Sequence, residues 1–239
     1  MNTLMRSATA TLRAVPIKRT YGDGGDACMY AHAMDVFEDH WTPIIVRELL
    51  LGPKRFTDLA QSARGITPAV LTTRLDQLEQ RGLVVSVEIP MPTRARAYDL
   101  TPWGRGLEQI VLALGRWAHG SPNRPDGGDL TPDGAALALL AMAPERPMDP
   151  PIRLELLLTD RRVAGSPVAY RLDWDDRLRI SRRADPDAPV RLRTDATTLA
   201  SELFTGSIRG IHVDGVRRDA DRLAAAFSPR RQRSTAPAG

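Results

Sequence analysis

The chain has 239 residues, 42% apolar and 26% charged, which is close to a globular average and long enough for one to two domains. That composition excludes wholesale disorder, collagen and disulfide scaffolds; the one cysteine excludes an intrachain disulfide and a cysteine-built zinc site and points to a reducing compartment. Net charge is +4, and of 33 basic residues only Lys18 and Lys54 are lysines, a weakly basic balance that permits a nucleic-acid partner without demonstrating one.

Residues 1 to 20 carry arginine, serine, threonine and alanine but no acid, and lack the apolar stretch of a secretion signal, so they read as a tail. A first helix is expected over about 27 to 39. Thr-Pro pairs then mark helix starts at Thr42, Thr67, Thr101 and Thr131, because threonine accepts from an orphan backbone N–H and proline fits the first helical turn. They predict helices over 42 to 51, 67 to 81, 101 to 119 and 131 to 143, with a short helix at 56 to 63. After Gly82 the period changes. Residues 83 to 89 are nearly continuously apolar and β-branched, and 96 to 100 alternate, giving a hairpin with a tip that bears proline and arginine.

Residues 121 to 129, SPNRPDGGD, read as a linker. Beyond it, strands at 152 to 158, 168 to 174, 177 to 182 and 190 to 194 alternate charged and apolar residues, as in an antiparallel sheet with one wet face. Helices at 195 to 205 and 217 to 227 follow. The fold class is therefore α+β: a winged helix-turn-helix over 21 to 120 and a small α+β domain over 130 to 228. No apolar run approaches the ~18 residues of a membrane span, so a cytoplasmic protein with no membrane partner is expected.

A helix-turn-helix buries one face of its second helix and offers the other to the major groove. On the 67 to 81 helix Val70, Leu71, Leu75 and Leu78 share one face, and Ala69, Thr72, Thr73, Asp76 and Gln80 the opposite one. Thr67, Pro68, Ala69, Thr72 and Thr73 are candidate DNA contacts, since short side chains let the backbone approach the base edges and threonine offers a hydroxyl and a methyl. Gln77 lies at the edge of that face. Arg74 falls between the faces and reads equally as a phosphate contact or an intradomain ion pair. Arg94 and Arg96 at the hairpin tip suit a phosphate or the minor groove, and Lys54 and Arg55 are candidate backbone clamps. Residues 54 to 105 hold eight basic and five acidic side chains.

The run from Asp39 to Leu107 resembles the HxlR-type winged-helix transcriptional regulators of bacteria. It carries R-E-L-L-x-G-P-x-R-F, then L-x-x-R-L-x-x-L-E-x-x-G-L-V, then Y-x-L-T-x-x-G, with Cys28 upstream, and the resemblance covers about residues 27 to 118. It implies a homodimer on double-stranded DNA, joined through the first and last helices of this half. It also makes Cys28 a candidate sensor of electrophiles or oxidants, the alternative being a small apolar residue at a helix start. Two positions depart from the family pattern: Met29, where proline commonly follows the cysteine, and Ala97, where an acid commonly precedes the wing tyrosine.

Four scattered histidines lack metal-ligand spacing, and no nucleophile-base pair, phosphate loop or cofactor motif is legible, so neither an enzyme, a metal nor a cofactor is expected. Trp103 and Trp117, with Leu107, Ile110, Val111 and Leu114, read as core or dimer-interface anchors. The second half resembles the sterol-carrier-protein-like fold, which implies a small apolar or aromatic effector. Its candidate wall residues are Leu156, Tyr170, Leu172, Trp174, Leu199, Leu203 and Phe204, although ordinary core is the default reading of each, as of any apolar residue at sheet or helix period.

Overall fold

The computed structural model describes residues 20 to 228, apart from 22, 26, 38, 90 to 94 and 124 to 126. Contacts divide the chain after residue 38, and the two parts are taken separately. The first contains one described helix, α1 (Met29–Phe37), with Met29 and Tyr30 exposed on it.

The larger part opens with α2 (Trp41–Leu49), strand β1 (Lys54–Arg55), α3 (Phe56–Ser62) and α4 (Pro68–Gln80). Thr67 caps α4 by accepting from the Val70 N–H, and Gly82 ends it in the left-handed region at φ 70°, where Leu83 N–H reaches back to Leu78 O. β2 (Val84–Ile89) and β3 (Ala95–Leu100) form the expected antiparallel hairpin, from Val84 opposite Leu100 to Ile89 opposite Ala95. β1 adds a third strand to it, in the order β1-β3-β2.

The single helix expected over 101 to 119 is two: α5 (Pro102–Arg105) and α6 (Glu108–His119). Gly104 lies so close to the chain after α4 that an added Cβ would sit 2.2 Å from Leu83 O. Leu107 N–H then bonds Gly104 O in a tight turn, before Val111 N–H resumes helical spacing on Leu107 O. The two glycines of G-R-G let the backbone make this approach and turn.

α7 (Pro132–Met142) is apolar on all sides and accordingly buried, packing on α2 and α6 in one direction and on α8 and the second sheet in the other. That sheet contains β4 (Ile152–Thr159), β5 (Val168–Trp174), β6 (Leu178–Ser181), β7 (Val190–Asp195) and β8 (His212–Gly215), in the order β6-β5-β4-β7-β8. It is mixed, not wholly antiparallel as expected, because β7 returns to the free edge of β4 and pairs parallel, Leu156 opposite Leu192. Alternation fixes which side chains face inward but says nothing about which edge a returning strand joins. α8 (Ala196–Thr205) and α9 (Arg217–Phe227) cover one face. Trp174, Phe204 and Phe227 meet there with ring centroids 5.7 to 5.8 Å apart. The other face carries cross-strand charges, with Glu155 paired to Arg191.

Candidate nucleic-acid interface

Leu59 of α3, Ala63 and Ile66 of the turn, and Leu71, Leu75 and Leu78 of α4 are all buried, together with Ile45 and Leu49 of α2. The inward stripe of α4 is thus committed to packing, and its N-terminal turns face solvent. Thr67, Pro68, Ala69, Thr72 and Thr73 are exposed there. The Thr72 and Thr73 hydroxyls donate to Pro68 O and Ala69 O, both at 3.0 Å, which leaves their lone pairs and methyl groups for a partner. Val70 departs from the expected inward face and is 36% exposed, because it precedes the Leu71, Leu75 and Leu78 stripe and lies a full 100° from its first member.

Of the two readings of Arg74, the structure contains the ion pair. Its Nε pairs with Asp39 Oδ2, while Asp39 Oδ1 accepts from the N–H groups of Trp41 (2.7 Å) and Thr42 (3.0 Å) at the start of α2. The other arm of Arg74 donates to Gln77 Oε1 at 2.7 Å. Arg74, steadied by Gln77 of its own helix, therefore ties α4 to the start of α2.

In the hairpin, Arg96 is mostly exposed and supported on several sides. Its Nε donates to Ser86 Oγ at 2.7 Å, its guanidinium lies 5.5 Å from the Tyr98 ring centroid, and a terminal nitrogen is 3.8 Å from the Glu79 carboxylate on α4. Arg94 and the tip lie outside the described residues. Arg55 is half-buried opposite Ala97 of β3.

Lys54, expected as a clamp on the DNA backbone, is engaged within the chain. Its side chain is 11% exposed, and the ammonium is 2.5 Å from Glu48 Oε2, 2.5 Å from Asp133 Oδ2 and 3.3 Å from Ser62 Oγ. Asp133, at the start of α7, also accepts from Tyr170 Oη (2.7 Å) and from Nε (3.0 Å) and a terminal nitrogen (2.7 Å) of Arg182. The remaining Arg182 donors go to the carbonyls of Glu48, Gly52 and Pro53. This joint ties the three-stranded to the five-stranded sheet region. Burial pushes the Glu48 carboxyl up, but the Lys54 ammonium and Arg47 guanidinium outweigh it and hold the group at about 2. Burial and the Asp133 charge push the Tyr170 phenol well above its ordinary value.

The sequence pattern does not single out Asp39, Asp133 or Arg182. Glu48 does leave a trace, being an acid three residues after Ile45 and one before Leu49, inside the apolar stripe of α2.

The seven candidate wall residues occupy the second half as core. Leu156, Tyr170, Leu172, Leu199 and Leu203 are fully buried, Trp174 nearly so, and Phe204 half-buried against Phe227. Tyr170 also borders a cavity of about 380 Å³. Cys28 is exposed at the start of α1, where the N–H groups of Ala31 and Tyr30 hold its thiol below the ordinary value. On α6 Ile110, Leu114 and Trp117 are exposed at helical spacing, with Trp103 of α5 also exposed.

Among the described residues no group of three or more His, Cys, Asp or Glu side chains could hold a metal ion, and no helix is long and apolar enough to cross a membrane.

Comparison with known proteins finds transcriptional regulators among the relatives of this sequence. Residues 36–125 match the model of the HxlR-like helix-turn-helix family. The chain is 34% identical over 100 residues to the uncharacterized HTH-type transcriptional regulator YybR of Bacillus subtilis, covering 41% of this chain and 78% of that one. It is 32% identical over 89 residues to YvaP of the same organism, covering 37% of this chain and 82% of that one. Among solved structures it is similar to the redox regulator HypR in its oxidized form, at 30% identity and TM-score 0.37, covering 40% of this chain and 99% of that chain.

Proposed function

Because the chain belongs to the HxlR-like helix-turn-helix family, we propose that it is a sequence-specific transcriptional regulator that binds operator DNA as a homodimer and answers to a small-molecule effector. The observation that carries this reading is α4: one face is locked into the core and the other presents Thr67, Ala69, Thr72 and Thr73 to solvent. In this reading residues 21 to 120 read DNA and dimerise, with α4 in the major groove and Arg96 on the adjacent backbone. Residues 130 to 228 form an effector domain of sterol-carrier-like type. The exposed stripe of Ile110, Leu114 and Trp117, with Trp103, supplies apolar surface for a second copy. The protein acts in the bacterial cytoplasm and has no catalytic role.

Footprinting on its operator should protect two half-sites centred on a dyad and separated by ~34 Å or a multiple of it. Replacing Thr72 and Thr73 together by alanine should change which bases are preferred, by ~1–3 kcal/mol at the affected positions. A lone protected half-site, or unchanged preference in the double variant, would remove the reading.

The Cys28 environment supports a second reading, in which the thiol senses electrophiles or oxidants and the second half serves oligomerisation only. An exposed thiol with a lowered pKa at a helix start is the kind that reacts. Alkylation should then change operator affinity in the native chain and leave Cys28→Ser unaffected; equal affinity before and after alkylation ends this reading.

A further inference from the structure

The joint built by Lys54, Asp133 and Arg182 floors the cavity of about 380 Å³, which lies between the two sheet regions and within the ~300–1,000 Å³ range of small-molecule sites. From these surroundings we infer that it is an effector site for a neutral, mainly apolar small molecule, lying between the DNA-reading half and the second half instead of inside the latter's core. This deepens the reading of the chain as an effector-controlled regulator and rests on it for the word effector.

Its apolar walls are Pro53, Pro132, Val163 and Val168, contributed by both sheet regions, with the fully buried Leu158 and Tyr170 behind them. The floor looks cationic in sequence but has no donor left to give. All three protons of Lys54 are directed at Glu48, Asp133 and Ser62. The five N–H groups of Arg182 are taken by Asp133 and the carbonyls of Glu48, Gly52 and Pro53. Asp133 in turn accepts from Lys54, Arg182 and Tyr170.

An anion entering the cavity would have to displace one of these buried pairs, and would pass Asp58 and Asp160 at the wall. A neutral molecule displaces nothing charged, and the exposed Gln61 and Ser166 offer it hydrogen bonds at the rim. The site also explains how occupancy reaches DNA binding. Asp58, Gln61 and Ser62 belong to α3, which packs on α2 as α4 does, so a ligand there reaches the recognition helix through the α2 that supports both.

The test uses the full chain and two naphthalene probes of one shape, neutral N-phenyl-1-naphthylamine and anionic 8-anilinonaphthalene-1-sulfonate, followed by fluorescence. The neutral probe should bind saturably at one site per chain, at least tenfold more tightly than the anionic one. Ser166→Trp, in an exposed loop at the rim, should weaken it at least tenfold, as should Ala164→Trp on the same loop. Retained operator binding by these variants shows that they fold. Equal affinity for both probes overturns the ligand class, and undiminished binding in both variants overturns the site. Operator affinity should shift at least threefold when the neutral probe saturates the chain. A bound probe with no such shift overturns the effector role. Absence of operator binding by the unliganded chain instead ends the regulator reading, leaving the probe result to stand by itself.

Discussion

The wing and the joint both concentrate basic residues, and they treat them oppositely. At the wing Arg96 is propped by Ser86, Tyr98 and Glu79 yet stays largely in solvent. At the joint Lys54 and Arg182 are withdrawn from water and their protons are fixed on Glu48, Asp133, Ser62 and backbone carbonyls. A positive charge near a helix-turn-helix is thus evidence of a DNA contact only once its donors are known to be free. The surplus of basic residues over 54 to 105 overstates the interface, since Lys54, Arg74 and Arg105 are each paired with a carboxylate inside the chain.

The contrast is broken most severely at Asp133. Asp133→Ala removes the acceptor shared by Lys54, Arg182 and Tyr170 and leaves buried cations short of a partner, so unfolding in urea should show a loss of about 3–5 kcal/mol. A loss below about 1 kcal/mol would mean that the joint behaves like a surface pair.

Acid titration is the next test. The folded Glu48 value, about 2, lies below its ordinary 4.5, so the stability it contributes is complete above 4.5 and disappears as pH falls from there toward 2. Urea midpoints measured down this range should fall, and Glu48→Gln should flatten that part of the fall while lowering stability at neutral pH. An unchanged acid limb in the variant would assign the fall to other carboxylates.

The smallest effect on folding is expected at the wing. Arg96→Ala should cost less than about 1 kcal/mol of stability, because its ion pair is exposed. It should nevertheless weaken DNA binding across sequences and reduce the salt slope by about 0.9 for each protomer bound. If the salt slope is unchanged while stability drops markedly, Arg96 belongs with the structural cations.

How much of this was legible follows the range of the interactions. Thr-Pro starts, the Gly82 stop and the change of period after it are local signals, and they locate α4, the hairpin and α7 to within a residue or two. The G-R-G break between α5 and α6 depends on Leu83 approaching Gly104, and strand β1 is only two residues long, so neither leaves a periodicity to read. Likewise β4 and β5 are plain in their alternation, whereas the parallel partner β7 is fixed by the route of the chain. At the candidate interface the outward threonines follow from helical geometry alone. The destinations of Lys54 and Arg74 do not, because Asp133 is 79 residues from Lys54 and Asp39 lies on another turn of chain altogether.

The all-round apolar character of α7 carries a consequence for how the molecule comes apart. A helix covered on one side by α2 and α6 and on the other by the second sheet belongs to both halves, and neither half can release it without wetting its own core. Calorimetry of the chain should therefore record one melting event for the region from Asp39 onward. A fragment cut at the linker would expose the α7-facing sides of α2 and α6 and strand the Glu48 carboxylate without Thr131 beside it. In thermodynamic terms the linker is then a seam in the sequence and not in the solid: from Asp39 onward the residues on its two sides should melt as a single cooperative unit, and a disturbance felt on one side should be registered on the other.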